Sequence, residues 1–112
     1  MTYERFEDLP VWQKAAELYE QTEALLENHA FKATSGFRDQ LDRAALSVSN
    51  NIAEGFERGT TNELLAFIYI ARGSAGEVRS MLALKLRRAD KTGWPADLKS
   101  QISNLKSKME YA

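Results

Sequence analysis

The chain of 112 residues has no cysteine, which excludes disulfide staples, thiol catalysis and cysteine-ligated zinc or iron–sulfur centres. It has one histidine, His29, which argues against a histidine-based metal site. Prolines are few: Pro10 and Pro95 each stand where a helix could begin. Long hydrophobic runs are missing as well. The longest, Leu64 to Ala71, falls well short of the roughly 20 residues that span a bilayer. The first eight residues, ending at Asp8, are acidic and lack an apolar centre, so they do not read as a signal peptide. Nor does charge of one sign dominate. Fifteen basic and sixteen acidic side chains give a net charge of −1, which excludes a uniformly basic nucleic-acid binder while leaving room for a local basic patch. A single cytoplasmic domain over residues 1–112, without a membrane span or cofactor, is the expectation.

What the chain has in quantity is alanine and leucine, with little valine or isoleucine. That balance favours helix over sheet, because unbranched side chains lose little χ1 freedom in a helix. Four helices are predicted. The first runs from about 9 to 29, with Asp8 as cap and Pro10 in the opening turn. Val11, Trp12, Ala15, Leu18, Tyr19, Thr22, Leu25 and Leu26 form its stripe, and Glu17, Glu20, Glu23 and Glu27 its solvated side. The second, about 36 to 56, follows Ser35 as cap and carries Phe37, Leu41, Ala44, Ala45, Val48, Ile52 and Phe56 inward. The third, about 61 to 89, opens on a capping box from Thr60 to Glu63. The fourth, about 95 to 111, follows a turn at Asp90–Gly93 and carries Leu98, Ile102, Leu105 and Met109 at heptad spacing. Short connections between such helices imply an antiparallel up-and-down four-helix bundle, an all-α fold. Its core is expected to hold Trp12, Tyr19, Leu41, Val48, Ile52, Ile68, Ala71, Val78, Leu82, Ile102 and Leu105.

The third helix carries more apolar surface than one bundle can bury. Leu64, Ile68, Ala71, Val78 and Leu82 make the inward seam. Ala66, Ile70, Gly73, Met81 and Leu84 make a second stripe on nearly the opposite side. On a monomer that stripe would face water, so it predicts an oligomer interface. Gly73 and Gly76 each cost about 1 kcal/mol of helix stability relative to alanine, which close approach by another helix would offset. A closed homo-oligomer follows, its interface heterologous, with the acidic first helix of the next copy as the receiving surface.

Chemistry is sparse. No phosphate loop, dinucleotide fingerprint or nucleophile elbow is present. The Glu-x-x-His pairs of bundle di-metal centres are missing too. His29 reads as a cation at the end of the first helix, suited to the dipole. Arg43, Ser47, Asn51 and Glu54 share one face of the second helix, within reach of Arg72 and Arg79, and read as a structural arginine–carboxylate network. No catalytic residue, metal ligand or small-molecule substrate emerges, so an enzyme is not expected. Charge is uneven along the chain: residues 1–36 are rich in acid and residues 85–112 in base. Lys85, Arg87, Arg88 and Lys91 concentrate at the end of the third helix. Two readings stay open for them. One is favourable pairing with the helix dipole and a neighbour's acidic helix. The other is contact with the phosphate backbone of RNA or DNA.

The segment from Arg38 to Arg58, with Asn51-Ile-Ala-Glu-Gly55 at its centre, and the segment Phe67-Ile-Tyr-Ile-Ala-Arg-Gly-Ser-Ala-Gly-Glu77 resemble the bacterial four-helix-bundle proteins encoded within 23S rRNA intervening sequences. Asp8-Leu-Pro-Val-Trp-Gln-Lys-Ala-Ala16 resembles the opening motif of that family. The accessory proteins of diversity-generating retroelements look like distant relatives. The resemblance implies a ring-shaped homopentamer without known enzymatic activity, in which Arg43, Asn51, Glu54, Gly55, Gly73, Ser74 and Glu77 have structural roles. The chain departs from the family at Ser49, where proline is frequent. Two functions are compatible with these features: an oligomeric nucleic-acid-associated protein, or a protein-interaction scaffold that touches no nucleic acid.

Overall fold

In a computed structural model, residues 3–109 are described, the side chain of Thr92 apart, and they contain four α-helices and no strand. They are α1 (Pro10–Glu27), α2 (Ser35–Glu57), α3 (Thr61–Thr92) and α4 (Ala96–Met109), preceded by a 3-10 turn at Phe6–Asp8. Helix α1 packs on α2 and α4, and α3 on α2 and α4, with the α2–α3 seam the most extensive. Gly55 near the end of α2 lies against Leu64 and Phe67 near the start of α3. Further along, Gln40 Nε2 of α2 donates to Glu77 Oε1 of α3 at 3.1 Å. The Cα envelope measures 49 × 21 × 20 Å. At about 1.5 Å per residue, a helix as long as α3 accounts for the long axis.

The helices begin where local chemistry supplies caps, though not always at the expected residue. Helix α1 starts after Leu9, which has extended backbone and no side-chain cap. Asp8 does not cap it: that residue ends the 3-10 turn, and its carboxylate accepts from Arg5 at 3.3 Å. Pro10 takes the first helical position as expected. Helix α2 is capped by Thr34, whose hydroxyl accepts the Phe37 N–H at 3.1 Å, so Ser35 is the first helical residue and not the cap. It then runs without interruption past Ser49, whose hydroxyl donates to Leu46 O at 3.2 Å. Thr60 accepts the Glu63 N–H at 3.2 Å, and the Glu63 carboxylate takes the Thr60 hydroxyl proton at 3.0 Å. This departs from the reciprocal box, in which the carboxylate would take a backbone N–H. Asp90 to Thr92, expected to turn, continue α3, which stops only at Gly93 with φ 70°. Left-handed backbone there is open to glycine at little steric cost.

Leu18, Leu25, Leu41, Val48, Ile52, Val78, Leu82, Leu98, Ile102 and Leu105 form the centre of the core. Each such side chain contributes about 1.5–3 kcal/mol on leaving water. Eight of the eleven expected core residues are buried; Trp12, Tyr19 and Ile68 pack against the core from its edge, half-buried. For Tyr19 the reason is its polar end. Its hydroxyl donates to Asp42 Oδ1 at 2.7 Å. Thr22, the buried polar residue of α1, is satisfied by donating to Leu18 O at 2.8 Å.

Phe31 is a core residue that helical periodicity does not predict. Phe31, in the connection between α1 and α2, is fully buried. Its ring lies 5.9 Å from that of Trp94 and 6.3 Å from that of Phe37, with the Arg38 guanidinium over it at 5.6 Å. Arg38 also donates to Leu26 O and Phe31 O. At Leu26 it thereby satisfies a carbonyl that the end of α1 leaves without a helical partner.

Candidate functional site: the outer face and basic end of the third helix

Successive residues of α3 step round the helix by about 100°, and burial separates its two sides. Leu64, Ala71, Ala75, Val78, Leu82 and Ala89 are buried. On the other side Tyr69 is 70% exposed, Leu84 61%, Ile70 52% and Leu65 49%. Ala66, Gly73 and Gly76 lie exposed among them. The expected outer stripe is therefore present at Ala66, Ile70, Gly73 and Leu84, but Met81 does not belong to it. Met81 is 8% exposed and part of the core. It sits on the flank that turns toward α2, where an unbranched thioether fills the space between helices. Leu65 and Tyr69, which the stripe omitted, extend the face instead.

The glycines separate the two sides as well. A Cβ added at Gly55 would stand 2.6 Å from Phe67 Cβ and 3.2 Å from Leu64 Cα. Gly55 thus permits the close approach of α2 and α3. A Cβ at Gly73 or Gly76 would meet nothing within 4 Å. Nothing inside the chain calls for glycine at those two positions.

The basic quartet at the end of α3 does not form one patch. Side chains two apart on a helix point about 160° from each other, so Lys85 and Arg87 face different ways. Lys85 turns toward the α1–α2 connection. Its ammonium lies 4.4 Å from the Phe37 ring centre and donates to Lys32 O at 3.3 Å. Burial pushes its pKa down, and the neighbouring positive charges of Arg88 and Arg38 push it further the same way. Arg87, Arg88 and Lys91 are exposed.

The polar stripe of α2 is likewise not a buried network within the chain. Ser47 donates to Ala44 O at 2.9 Å and Asn51 to Ser47 O at 2.7 Å, both within their own helix. Glu54 pairs with Arg58 at 3.2 Å, an exposed pair of a kind worth about 0.3–0.5 kcal/mol. Arg43, Arg72 and Arg79 are exposed and make no ion pair among the described residues. Arg43 instead lines an open groove of about 520 Å³ between α2 and α3, with Asp39, Gln40, Ser47 and Glu77. Gln40 and Glu77 of this lining are the pair hydrogen-bonded to each other. His29 stands exposed two residues beyond α1. Among the described residues no three metal-ligating side chains converge, and no helix is long and apolar enough to cross a membrane.

The sequence pattern of the 23S rRNA-intervening sequence proteins matches residues 7–109, from the opening 3-10 turn to the end of α4. The chain belongs to that family. No curated protein matches it. Among the positions through which the chain resembles the family, Ile52 and Ala71 are core residues, and Gly55 sits at the α2–α3 contact. Gly73 lies on the exposed outer face, where its own chain offers no explanation for it.

Proposed function

We propose that this family member is a non-enzymatic subunit of a closed homo-oligomer, an antiparallel four-helix bundle that assembles through the outer face of α3. The observation that carries the reading is the exposed face of Leu65, Tyr69, Ile70 and Leu84 around the open Gly73 and Gly76. Exposed apolar side chains aligned on one helix face mark interfaces, and glycines without a neighbour in their own chain leave room for a second backbone. The acidic exposed side of α1, with Glu17, Glu20, Glu23 and Glu27, supplies a receiving surface complementary to Arg87 and Lys91. A heterologous contact of this sort generates a ring when its rotation closes; five subunits is the number suggested by the family resemblance. Sedimentation of the wild-type chain should give one species several times 12.7 kDa. Ile70→Glu with Leu84→Glu should reduce it to monomer with its helix content intact. A wild-type monomer at ordinary concentrations overturns the reading.

A second reading, association with RNA or DNA, is favoured by the exposure of Arg87 and Lys91 at the end of the same face, where a ring would repeat them. Affinity titrated against salt tests it. Phosphate contacts give a steep loss with salt, and Arg87→Gln with Lys91→Gln should weaken binding and flatten that slope together. No binding at low salt leaves a protein-interaction scaffold.

A further inference from the structure

A second apolar side chain of the chain is left to water on the α1–α2 seam. Leu46 of α2 is 38% exposed. Ala53, two turns further along, shares its side of the helix and is half-buried. Tyr19 of α1 is tied to the same region by its hydrogen bond to Asp42, one turn before Leu46. Carboxylates surround this centre. Asp42 and Asp39 precede Leu46 by four and seven residues, so they fall on its side of α2. Glu23 stands close enough to Tyr19 for its charge to act on the phenol, and Glu20 lies one turn before it. Glu20, Glu23 and Asp39 are exposed and form no ion pair among the described residues. Arg43, the basic side chain nearest to Leu46 on α2, lines the α2–α3 groove with Glu77.

Around the outer face of α3 the free charges have the opposite sign. Arg72 and Arg79 run along one flank and Arg87 continues on the face itself, all exposed and without an ion pair among the described residues. Asp90 on that flank is taken by Lys99 at 3.3 Å, and Glu77 on the other flank accepts from Gln40. Tyr69, Arg72, Gly73 and Gly76 have the spacing of a hole that a side chain from a facing helix fills, and the two glycines leave that hole open. We infer that the α1–α2 face of one copy is the seat for the outer face of α3 of the next, with Leu46 entering the hole at Gly73 and Gly76. The carboxylates of Glu20, Glu23 and Asp39 then meet Arg72, Arg79 and Arg87. The inference rests on assembly through the outer face of α3 and names the surface that receives it. Complementary charge around an apolar centre fixes which faces meet. It also opposes pairing of like faces, since α3 against α3 would set arginine against arginine. The two faces belong to different helices, so the contact is heterologous, as a ring requires.

Sedimentation of complementary variants is the test. Leu46→Lys alters the seat. In the single chain the new lysine pairs with Asp42 four residues before it, so helix content by circular dichroism should be unchanged; in the assembly it stands against arginine. The concentration needed for assembly should rise at least about tenfold. Glu20→Lys with Asp39→Lys, at two exposed positions, should do the same and guards against a folding defect at Leu46. Ile70→Glu with Leu84→Glu alters the α3 face and leaves the seat intact. Mixed well above the wild-type assembly concentration, this variant and Leu46→Lys retain one matched pair of faces between them. They should form a heterodimer that neither forms alone and that salt weakens. Three outcomes overturn the inference. Assembly of both seat variants at the wild-type concentration, with the Ile70/Leu84 variant monomeric, would place the seat elsewhere and leave the proposed function standing. A mixture that stays monomeric would show that the two faces do not meet. A monomeric wild-type chain would remove the proposed function and the seat together.

Discussion

Gly55 and Gly73 are the same residue type in neighbouring helices, and they answer to different constraints. At Gly55 the space a methyl group would need is taken by Phe67 and Leu64 of the facing helix. At Gly73 that space is empty, and the residues around it, Tyr69 and Ile70, are turned to water. Both positions sacrifice helix propensity by a similar amount, about 1 kcal/mol each relative to alanine. In one case the closeness of α2 and α3 offsets the loss. In the other the chain by itself returns nothing. An apolar seam completed within the chain and an apolar face left open differ in their partners, not in their composition, which is why helical periodicity alone describes both equally well.

The sharpest way to break that comparison is to truncate one isoleucine on each side. Ile52 is 1% exposed and Ile70 is 52% exposed. Ile52→Ala should destabilise the chain by about 2–5 kcal/mol, through lost burial and the cavity left behind. Ile70→Ala, measured by denaturant unfolding where the chain is monomeric, should stay within about 0.5 kcal/mol of wild type. Any larger cost for Ile70 should emerge only at concentrations where assembly contributes to stability by mass action. Equal costs in the dilute monomer would show that the outer face is packed within the chain.

The paired glycine substitutions sharpen the comparison at smaller scale and with opposite signs. Gly55→Ala forces a Cβ against the Phe67 Cβ and the Leu64 backbone, and overpacking of that kind costs about 1–3 kcal/mol. Gly73→Ala adds a methyl to open space within a helix, so the monomer should gain up to about 1 kcal/mol. The same methyl should weaken assembly if a second backbone comes close there. Thermal unfolding of the dilute chain reads the first effect and sedimentation the second. A gain in stability from Gly55→Ala would mean that α2 and α3 can separate without loss.

Much of this contrast is legible in the sequence. Repeats at three and four residues placed Leu41, Val48, Ile52, Ala71, Val78, Leu82, Ile102 and Leu105 inside correctly. They also separated two stripes on α3. Periodicity is less informative at the flank, where Met81 falls on the outer stripe by angle and is nonetheless part of the core. Caps shifted by a residue for a similar reason. Asp8, Leu9, Thr34 and Ser35 compete locally, and small differences in backbone conformation decide among them. Phe31 is not legible in this way because a connecting segment has no period, and Arg38, in the first turn of α2, belongs to no apolar stripe. A lone phenylalanine between Ala30 and Lys32, followed by a lone arginine in the first turn of α2, was the available signal. Lys85 stands beside Arg87 and Arg88 in sequence, whereas its side chain is directed by Phe37 and Lys32 O.

The smallest effect is expected on the α1–α2 seam, where a polar contact stands in place of a glycine or an isoleucine. The Tyr19 hydroxyl donates to Asp42 at 2.7 Å. That hydrogen bond, then burial, then the negative charges of Asp42 and Glu23, pushes the phenol up to about 12. The folded state thus favours the neutral phenol. Its contribution to stability is complete below the ordinary tyrosine pKa of about 10 and is lost as pH rises from there to about 12. Ultraviolet titration of the chain should show one of its four tyrosines ionising last, and that step should vanish in Tyr19→Phe. Below pH ~10 the same substitution should cost about 0.5–1.5 kcal/mol, the net worth of one hydrogen bond. It should also remove part of the stability loss above that pH. Tyr19 ionising at its ordinary pKa in the folded chain would mean that Asp42 does not hold it. The α1–α2 seam would then rest on apolar packing and on the hydrogen bond from Arg38 to Leu26 O.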